Sequence, residues 1–380
     1  MESENHMQIK QHYQLPAPGG RYRVGISASQ YSYVLGDGTV REIPCTIFYP
    51  SEDSAALKAH PYGGSPDCAS HIKTNTYEGL PVAAGCFPLI VFSHGMGLCV
   101  ETHTILLEAL ASHGYVILGV NHEAPPPDEK STGRDYATPE AFYALPDYGQ
   151  WAASNADIED VALHKLRYRS VVEAAPETVK QNRLWRQDCH VAADGFLSES
   201  RHSDSLFFQH VDALRLAAAG MSFGGACAMG LAQECAKYQA VVNLDGAFYS
   251  ETWETPPSVP ALFINGDSSV SGDHLRFPFL NTVSDAYHVR LTGCEHMNFT
   301  DWGNILADNP VIREYDGTQE VESNTLGDSD PEELTRTICS LVLGFLSKYL
   351  KGMAAPMLDG NAHTPLARVT KKQEIKSEME

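Results

Sequence analysis

Two short stretches of this chain hold residues that could do chemistry together. Gly220-Met221-Ser222-Phe223-Gly224-Gly225 sets a serine among glycines, and Gly293-Cys294-Glu295-His296-Met297-Asn298-Phe299 offers a histidine further on. A serine hydroxyl is a poor nucleophile until a base takes its proton. Histidine can be that base, and a carboxylate can hold its ring in the right tautomer and stabilise the imidazolium. The chemistry this implies is nucleophilic catalysis by an activated serine.

The setting of the serine narrows the reading. An apolar run, Leu214-Arg215-Leu216-Ala217-Ala218-Ala219, leads into it, and small residues from Ala226 to Ala232 follow. A strand that ends in Gly-x-Ser-x-Gly and turns at once into a helix of small residues is the nucleophile elbow of an α/β-hydrolase. Glycines flank the serine because a Cβ there would meet the neighbouring strand or helix. The turn lifts Ser222 Oγ above the sheet at a helix N-terminus, where N–H groups face incoming negative charge.

In this fold the partners follow in the order serine, acid, histidine. His296 stands on the loop after the last apparent strand, where the base belongs. His288 falls within that strand and His274 before it. Two aspartates can supply the acid. Asp245 ends the run Val241-Val242-Asn243-Leu244. Asp267 follows Ile264-Asn265-Gly266, two residues short of the commoner position, where Ser269 stands. An oxyanion hole needs two backbone N–H groups: one from the residue after the nucleophile, Phe223, the other from the loop after an early strand. His94-Gly95-Met96-Gly97 ends such a strand, which makes Met96 N–H the candidate.

The elements needed to hold these groups are legible at intervals. Tyr22–Ala28, Tyr31–Leu35 and Glu42–Tyr49 predict early strands, with Gly36-Asp37-Gly38 as a hairpin turn. Pro50 to Gly85 is rich in Pro, Gly and Ser and predicts a long surface excursion. Phe87–Ser93 is apolar without alternation, as in a strand buried on both faces of a mostly parallel sheet. A helix over 101–113 ends at Gly114. Strands are expected at Tyr115–Val120, Ala240–Asp245, Pro260–Gly266 and, last, Ala286–Leu291. Asp330 and Pro331 start a final helix with an apolar stripe from Leu334 to Tyr349, closed by Gly352. The expected architecture is an α/β-hydrolase domain over 21–352: a mostly parallel central sheet flanked by helices. Periodicity breaks over 124–184, which predicts a cap or lid insertion, followed by a helix near 177–197. Residues 1–20 form a polar extension, and 353–380 a polar, mobile tail.

Composition bounds the partners. The net charge is −21, which argues against nucleic acid and against electrostatic docking on anionic lipid. The nine cysteines are odd in number and none is paired as Cys-x-x-Cys, so they read as reduced thiols, Cys294 included. The first residues lack the apolar core of a signal peptide, and no run approaches a membrane span. A cytoplasmic protein with no integral membrane segment is the expectation. There is no His-Glu-x-x-His, zinc-type Cys/His cluster, P-loop or dinucleotide fingerprint, so no metal or cofactor is implied.

Taken together, Phe92-Ser93-His94-Gly95-Met96-Gly97, Leu110-Ala111-Ser112-His113-Gly114-Tyr115-Val116, the elbow, Leu244-Asp245-Gly246 and Gly293–Phe299 resemble the plasma-type and intracellular type-II platelet-activating factor acetylhydrolases. Tyr22-Arg23-Val24-Gly25 and Ile47-Phe48-Tyr49-Pro50-Ser51 fit the same pattern, and the likeness runs from about residue 20 to 352. That family takes its acid from the strand after the elbow helix, which adds weight to Asp245. The resemblance implies calcium-independent hydrolysis of short or oxidised acyl esters, including those at the sn-2 position of phospholipids. Two places depart from the pattern. Met221 stands where the family has His, and Asn121-His122-Glu123-Ala124 stands where it has Glu-His-Arg-Asp. Both are expected to border the pocket, Met221 with an effect on substrate preference. The expected function is a serine esterase for small-molecule or lipid esters. The alternatives are a general carboxylesterase or polyester hydrolase of the same fold, and a silent binding protein, against which the intact Ser222, Asp245 and His296 set argues.

Overall fold

Phe87–Ser93 has no polar residue to turn toward water before its last position, and in the computed structural model it forms β6 at the middle of the sheet, buried throughout. The structure describes residues 13–53, 57–63, 71–122, 165–166, 168–169, 172–173, 176–247, 250–267, 271–308 and 326–373. Residues 1–12 of the expected extension, 124–164, 167, 170–171 and 174–175 of the expected cap, Ser269 and 374–380 of the tail lie outside them.

The first strands are β1 (Tyr13–Gln14), β2 (Arg23–Val34), β3 (Val40–Ser51), β4 (Ala59–Pro61) and β5 (Ile72–Glu78). After β6 come α1 (Thr104–Ser112), β7 (Val116–Val120), α2 (Pro176–Glu199), β8 (Val211–Met221), α3 (Phe223–Glu234), β9 (Tyr238–Leu244) and β10 (Ala261–Gly266). The chain continues through α4 (Ser271–Asn281), β11 (Ala286–Leu291), α5 (Trp302–Asp308), α6 (Pro331–Lys351) and β12 (Ala367–Lys371). The sheet order is β1-β5-β2-β3-β7-β6-β8-β9-β10-β11-β12, with β4 beside β5. From β7 to β11 every neighbouring pair is parallel. This is the expected α/β-hydrolase plan.

Alternation along the central strands splits the core in two. Leu89 and Val91 of β6, with Leu216 and Ala218 of β8, face α2, α3 and α4. Ile90 and Phe92, with Ala217, Ala219 and Met221, face α1 and α6. Asp330 Oδ1 caps α6 by accepting the Glu333 N–H at 2.8 Å, and Gly352 ends it at φ 67°. Its stripe from Leu334 to Leu346 is buried, each side chain contributing about 1.5–3 kcal/mol.

Three local expectations differ from the structure. Tyr22–Ala28 and Tyr31–Leu35 fall in one continuous strand, β2, which pairs with β3 in unbroken register from Arg23↔Ser51 to Val34↔Val40. The excursion over 50–85 contributes β4 and β5, because Ile72, Thr74 and Thr76 alternate inward beneath the Pro/Gly/Ser composition. Beyond residue 352 Ala355 and Leu358 are buried, and β12, not β11, is the last strand. Lys348 Nζ holds the Asp359 carboxylate at 2.5 Å, which turns the chain back along the edge of β11.

One buried acid gives the fold a pH dependence. Glu108 on α1 accepts the Asn75 N–H at 2.6 Å and Asn75 Nδ2 at 2.8 Å. Burial, opposed by those bonds, raises its pKa from 4.5 to about 7. A carboxyl whose folded pKa is raised stabilises the protein fully below about pH 4.5 and loses that contribution as pH climbs through about 7. The swing is on the order of 3 kcal/mol. Thermal melts between pH 5 and 8 should therefore fall less steeply for Glu108→Gln than for the wild type; an unchanged slope would remove Glu108 as the source.

Candidate active site

The elbow is built by backbone that only small residues permit. Ser222, between β8 and α3, sits at φ 54°, ψ −124°. A Cβ on Gly220 would lie 2.2 Å from the Gly224 carbonyl oxygen, and one on Gly224 would lie 2.1 Å from that of Ser93. The Ser222 N–H donates to Leu244 O at 2.8 Å, tying the elbow to the end of β9.

Asp245 follows directly, at φ 52°, with its N–H on Ile264 O at 2.7 Å. Asn243 fixes this bend from below. Its Oδ1 accepts the Gly246 N–H at 2.8 Å and its Nδ2 donates to Gly246 O at 3.0 Å. Sequence reasoning passed over Asn243, although an amide inside the apolar run Val241–Leu244 was the available signal.

His296 opens a short 3-10 turn, His296–Phe299, after β11. Asn298 Oδ1 accepts N–H groups from Glu295 and Gly327, both at 2.8 Å, and so holds the loop. Asp301, beyond it, accepts the Thr104 and Ile105 N–H groups at 2.8 and 3.0 Å, which moors the loop to the start of α1.

These elements bring three side chains into line. His296 Nδ1 lies 2.5 Å from Asp245 Oδ2, and His296 Nε2 lies 3.0 Å from Ser222 Oγ. Asp245 is fully buried, whereas the His296 side chain is 38% exposed. A carboxylate can only accept, so the proton sits on Nδ1 and Nε2 accepts from the serine hydroxyl. Such a line can deprotonate Ser222 as it attacks and return the proton to a leaving group. Asp267, the alternative acid, lies elsewhere: its Oδ1 accepts the Gly293 N–H at 3.1 Å, and the residue is exposed.

Phe223 begins α3 directly after the serine. Gly95 lies against the elbow, where an added Cβ would stand 3.2 Å from Ser222 Cβ and 3.0 Å from Met221 Sδ. Met96 is the next residue. Met221 is fully buried on the α1/α6 face of the sheet. It packs the core beneath the elbow, with its Sδ close to Gly95. His122 is also buried, in a polar cluster with Ser93, Asp188 and Arg41. Cys294 is buried, and burial pushes its thiol pKa up, which suits an inert residue. Among the described residues no group of three or more His, Cys, Asp or Glu side chains is placed to hold a metal.

The family model for platelet-activating factor acetylhydrolase, isoform II, matches residues 68–353. The chain belongs to this family. Among acetylhydrolase relatives, it is 22% identical to the platelet-activating factor acetylhydrolase of Gallus gallus over 281 residues, 70% of this chain and 62% of that protein. It therefore aligns with less than two thirds of the chicken protein's length. It is 22% identical to the Cavia porcellus platelet-activating factor acetylhydrolase over 371 residues, 89% of this chain and 78% of that one. Among solved structures it is similar in fold to a ferulic acid esterase from Streptomyces cinnamoneus, with a TM-score of 0.66 and 22% identity, covering 94% of this chain and 99% of that one. The acetylhydrolase match takes in the elbow, Asp245 and the His296 loop, and stops at the end of α6.

Proposed function

We propose that this chain is a serine hydrolase of carboxylic esters with short or oxidised acyl groups, including those at the sn-2 position of phospholipids. The observation that carries the reading is the line Ser222–His296–Asp245, at 3.0 and 2.5 Å, on an elbow held at positive φ. Ser222 Oγ attacks the ester carbonyl while His296 Nε2 takes its proton. The N–H groups of Met96 and Phe223 hold the oxyanion. The alkoxide leaves with the proton from His296, and a water, deprotonated by the same ring, releases the acid from Ser222. Asp245 keeps the ring oriented and stabilises the imidazolium. No cofactor enters these steps. The acyl preference and the lipid substrate come from the family and its relatives' names. The hydrolase body, expected at 21–352, takes in β1 and β12 as well, since both pair into the same sheet.

A cytoplasmic setting is part of the proposal. Eight cysteines lie among the described residues and none is in a disulfide, although Cys189 and Cys227 approach to 3.8 Å between sulfurs. Thiols that close stay reduced in a reducing compartment. Among the described residues no helix is long and apolar enough to cross a membrane.

Hydrolysis of aryl esters from acetate to laurate, with a short-acyl glycerophosphocholine in parallel, tests the substrate class. Acetate to butyrate should be cleaved with a kcat/KM at least about tenfold above laurate, and the phospholipid should be cleaved without calcium. A preference for long chains would replace the short-acyl reading. Cleavage of the aryl esters but not the phospholipid would leave a general carboxylesterase.

A further inference from the structure

Beneath the Met96 loop runs a second hydrogen-bonded line of serine, histidine and aspartate, wholly inside the protein. Ser93 ends β6, and its Oγ lies 2.9 Å from His122 Nε2. His122 Nδ1 lies 2.8 Å from Asp188 Oδ2 on α2. Ser93, His122 and Asp188 are 1%, 8% and 0% exposed, so no ester reaches this serine. The aspartate is neutralised on the spot. Arg41 Nε and Nη2 donate to its two oxygens, each at 2.7 Å, and the Tyr33 hydroxyl donates to Oδ1 at 3.0 Å. Burial alone would raise the Asp188 pKa, but the bonds from Arg41 and His122 outweigh it and hold the carboxyl below its ordinary range. An ionised carboxylate only accepts, so His122 carries its proton on Nδ1 and its Nε2 accepts from Ser93 Oγ–H.

From His122 the contact passes through its backbone N–H, not its ring, to a single peptide. The His122 backbone N–H donates to His94 Nε2 at 3.1 Å. A ring nitrogen that accepts has no proton, so His94 is neutral and its proton is on Nδ1. Burial and the neighbouring His122 push its pKa well down, in the same sense. That Nδ1–H donates to the Gly95 carbonyl at 2.7 Å, and the Leu98 N–H donates to the same oxygen at 3.2 Å. In a trans peptide the C=O and the N–H point opposite ways, and among the described residues no peptide is cis. Holding the Gly95 oxygen on the His94 side turns the Met96 N–H to the other. A flipped peptide would instead present a carbonyl where negative charge must be held. Trp185 of α2 locks the rings: it stacks on His122 at 3.9 Å and 8°, and meets His94 and Phe223 edge-on at 5.1 and 4.9 Å.

We propose that Asp188 and His122 are positioning residues for ester hydrolysis: by anchoring the His122 ring they fix the His122 backbone N–H that holds His94, and His94 in turn sets the Gly95–Met96 peptide. The inference rests on the reading of Met96 N–H as an oxyanion donor.

The His94 side chain can be dissected with two amides. His94→Gln keeps a polar atom near the Nε2 position and removes the Nδ1 donor, whereas His94→Asn keeps a donor near Nδ1. On a short-acyl aryl ester, His94→Gln is expected to lose about a hundredfold in kcat with KM little changed, and His94→Asn to recover most of that loss. His122→Phe keeps a ring for Trp185 and removes both polar bonds; a kcat loss between about tenfold and a hundredfold is expected. The double variant His94→Gln/His122→Phe should be no worse than His94→Gln alone, since both act on one peptide. Rates are taken per serine labelled exhaustively by a fluorophosphonate. Affinity for a trifluoromethyl ketone, bound as a tetrahedral anion, should fall by the same factor as kcat/KM. Wild-type kcat and ketone affinity in His94→Gln or in His122→Phe, or losses that multiply in the double variant, would overturn the proposal. Should His122→Phe not fold, Asp188→Asn, which keeps the side chain's size and removes its charge, takes its place: a kcat loss of about tenfold or more is expected, and wild-type kcat there would overturn the proposal. Ser222→Ala separates the two claims: activity retained there sinks the serine-esterase reading, while an inactive Ser222→Ala beside an unaffected His94→Gln sinks only the positioning role.

Discussion

Ser222→Ala is expected to lower kcat by roughly a millionfold while leaving KM and the melting temperature near their wild-type values. The size follows from the role. Without Oγ there is no acyl-enzyme, and His296 has no hydroxyl to deprotonate at its 3.0 Å partner. What remains is a preoriented pocket acting on water, which the oxyanion donors help only modestly. The small effect on folding follows from the backbone. Ser222 already tolerates φ 54° with a Cβ, and alanine asks for nothing more. Steady-state kinetics, a melt and fluorophosphonate labelling together check this. Loss of labelling with an unchanged melt is the expected pattern. A variant within about tenfold of wild type, or one labelled as before, would mean another nucleophile.

Asp245→Asn should cost about ten-thousandfold in kcat, and Asp267→Asn no more than about twofold. Asparagine keeps the size of Asp245 and suits its left-handed backbone, at φ 52°, better than alanine would. Yet its amide can donate where the carboxylate only accepted. A donor opposite Nδ1 drives the proton of His296 to Nε2, the nitrogen that must be bare to take one from Ser222. The neutral amide, fully buried, also leaves the imidazolium without its counter-charge. Among the described residues Asp267 Oδ1 accepts the Gly293 N–H, 3.1 Å away at the foot of the His296 loop, and an asparagine oxygen accepts that bond equally well. Measuring both variants on one aryl ester tells the two acids apart. Equal losses, or a larger loss at Asp267, would reassign the acid.

The site was legible where its chemistry is local. The elbow declares itself through glycines that must be adjacent to the serine, and His296 through its place after β11. The acid was not fully legible, because Asp245 and Asp267 both follow strands. Only the register of β9 against β10, with Asp245 N–H on Ile264 O, shows which one faces the His296 ring. The Asp188 cluster was invisible for a different reason. Arg41, Ser93, His122 and Asp188 come from four separate elements, and each alone reads as an ordinary polar residue. The full burial of Met221 on the α1/α6 face was not legible either, because its neighbours there come from distant elements. Composition misled at both ends of the sheet. Pro, Gly and Ser concealed β5, and a Lys- and Glu-rich tail concealed β12.

That last strand has a practical consequence. The family match stops at residue 353, which makes it a natural place to truncate the chain. β12 lies beyond it and pairs with β11 from Tyr287↔Lys371 to Leu291↔Ala367. Cutting there would bare a row of unpaired amides and carbonyls along β11, a template for pairing with a neighbouring molecule. Arg368 and Lys371 on the covering strand are the sort of charge that discourages such stacking. The tail that carries none of the chemistry would then govern whether the trimmed protein stays dispersed in solution.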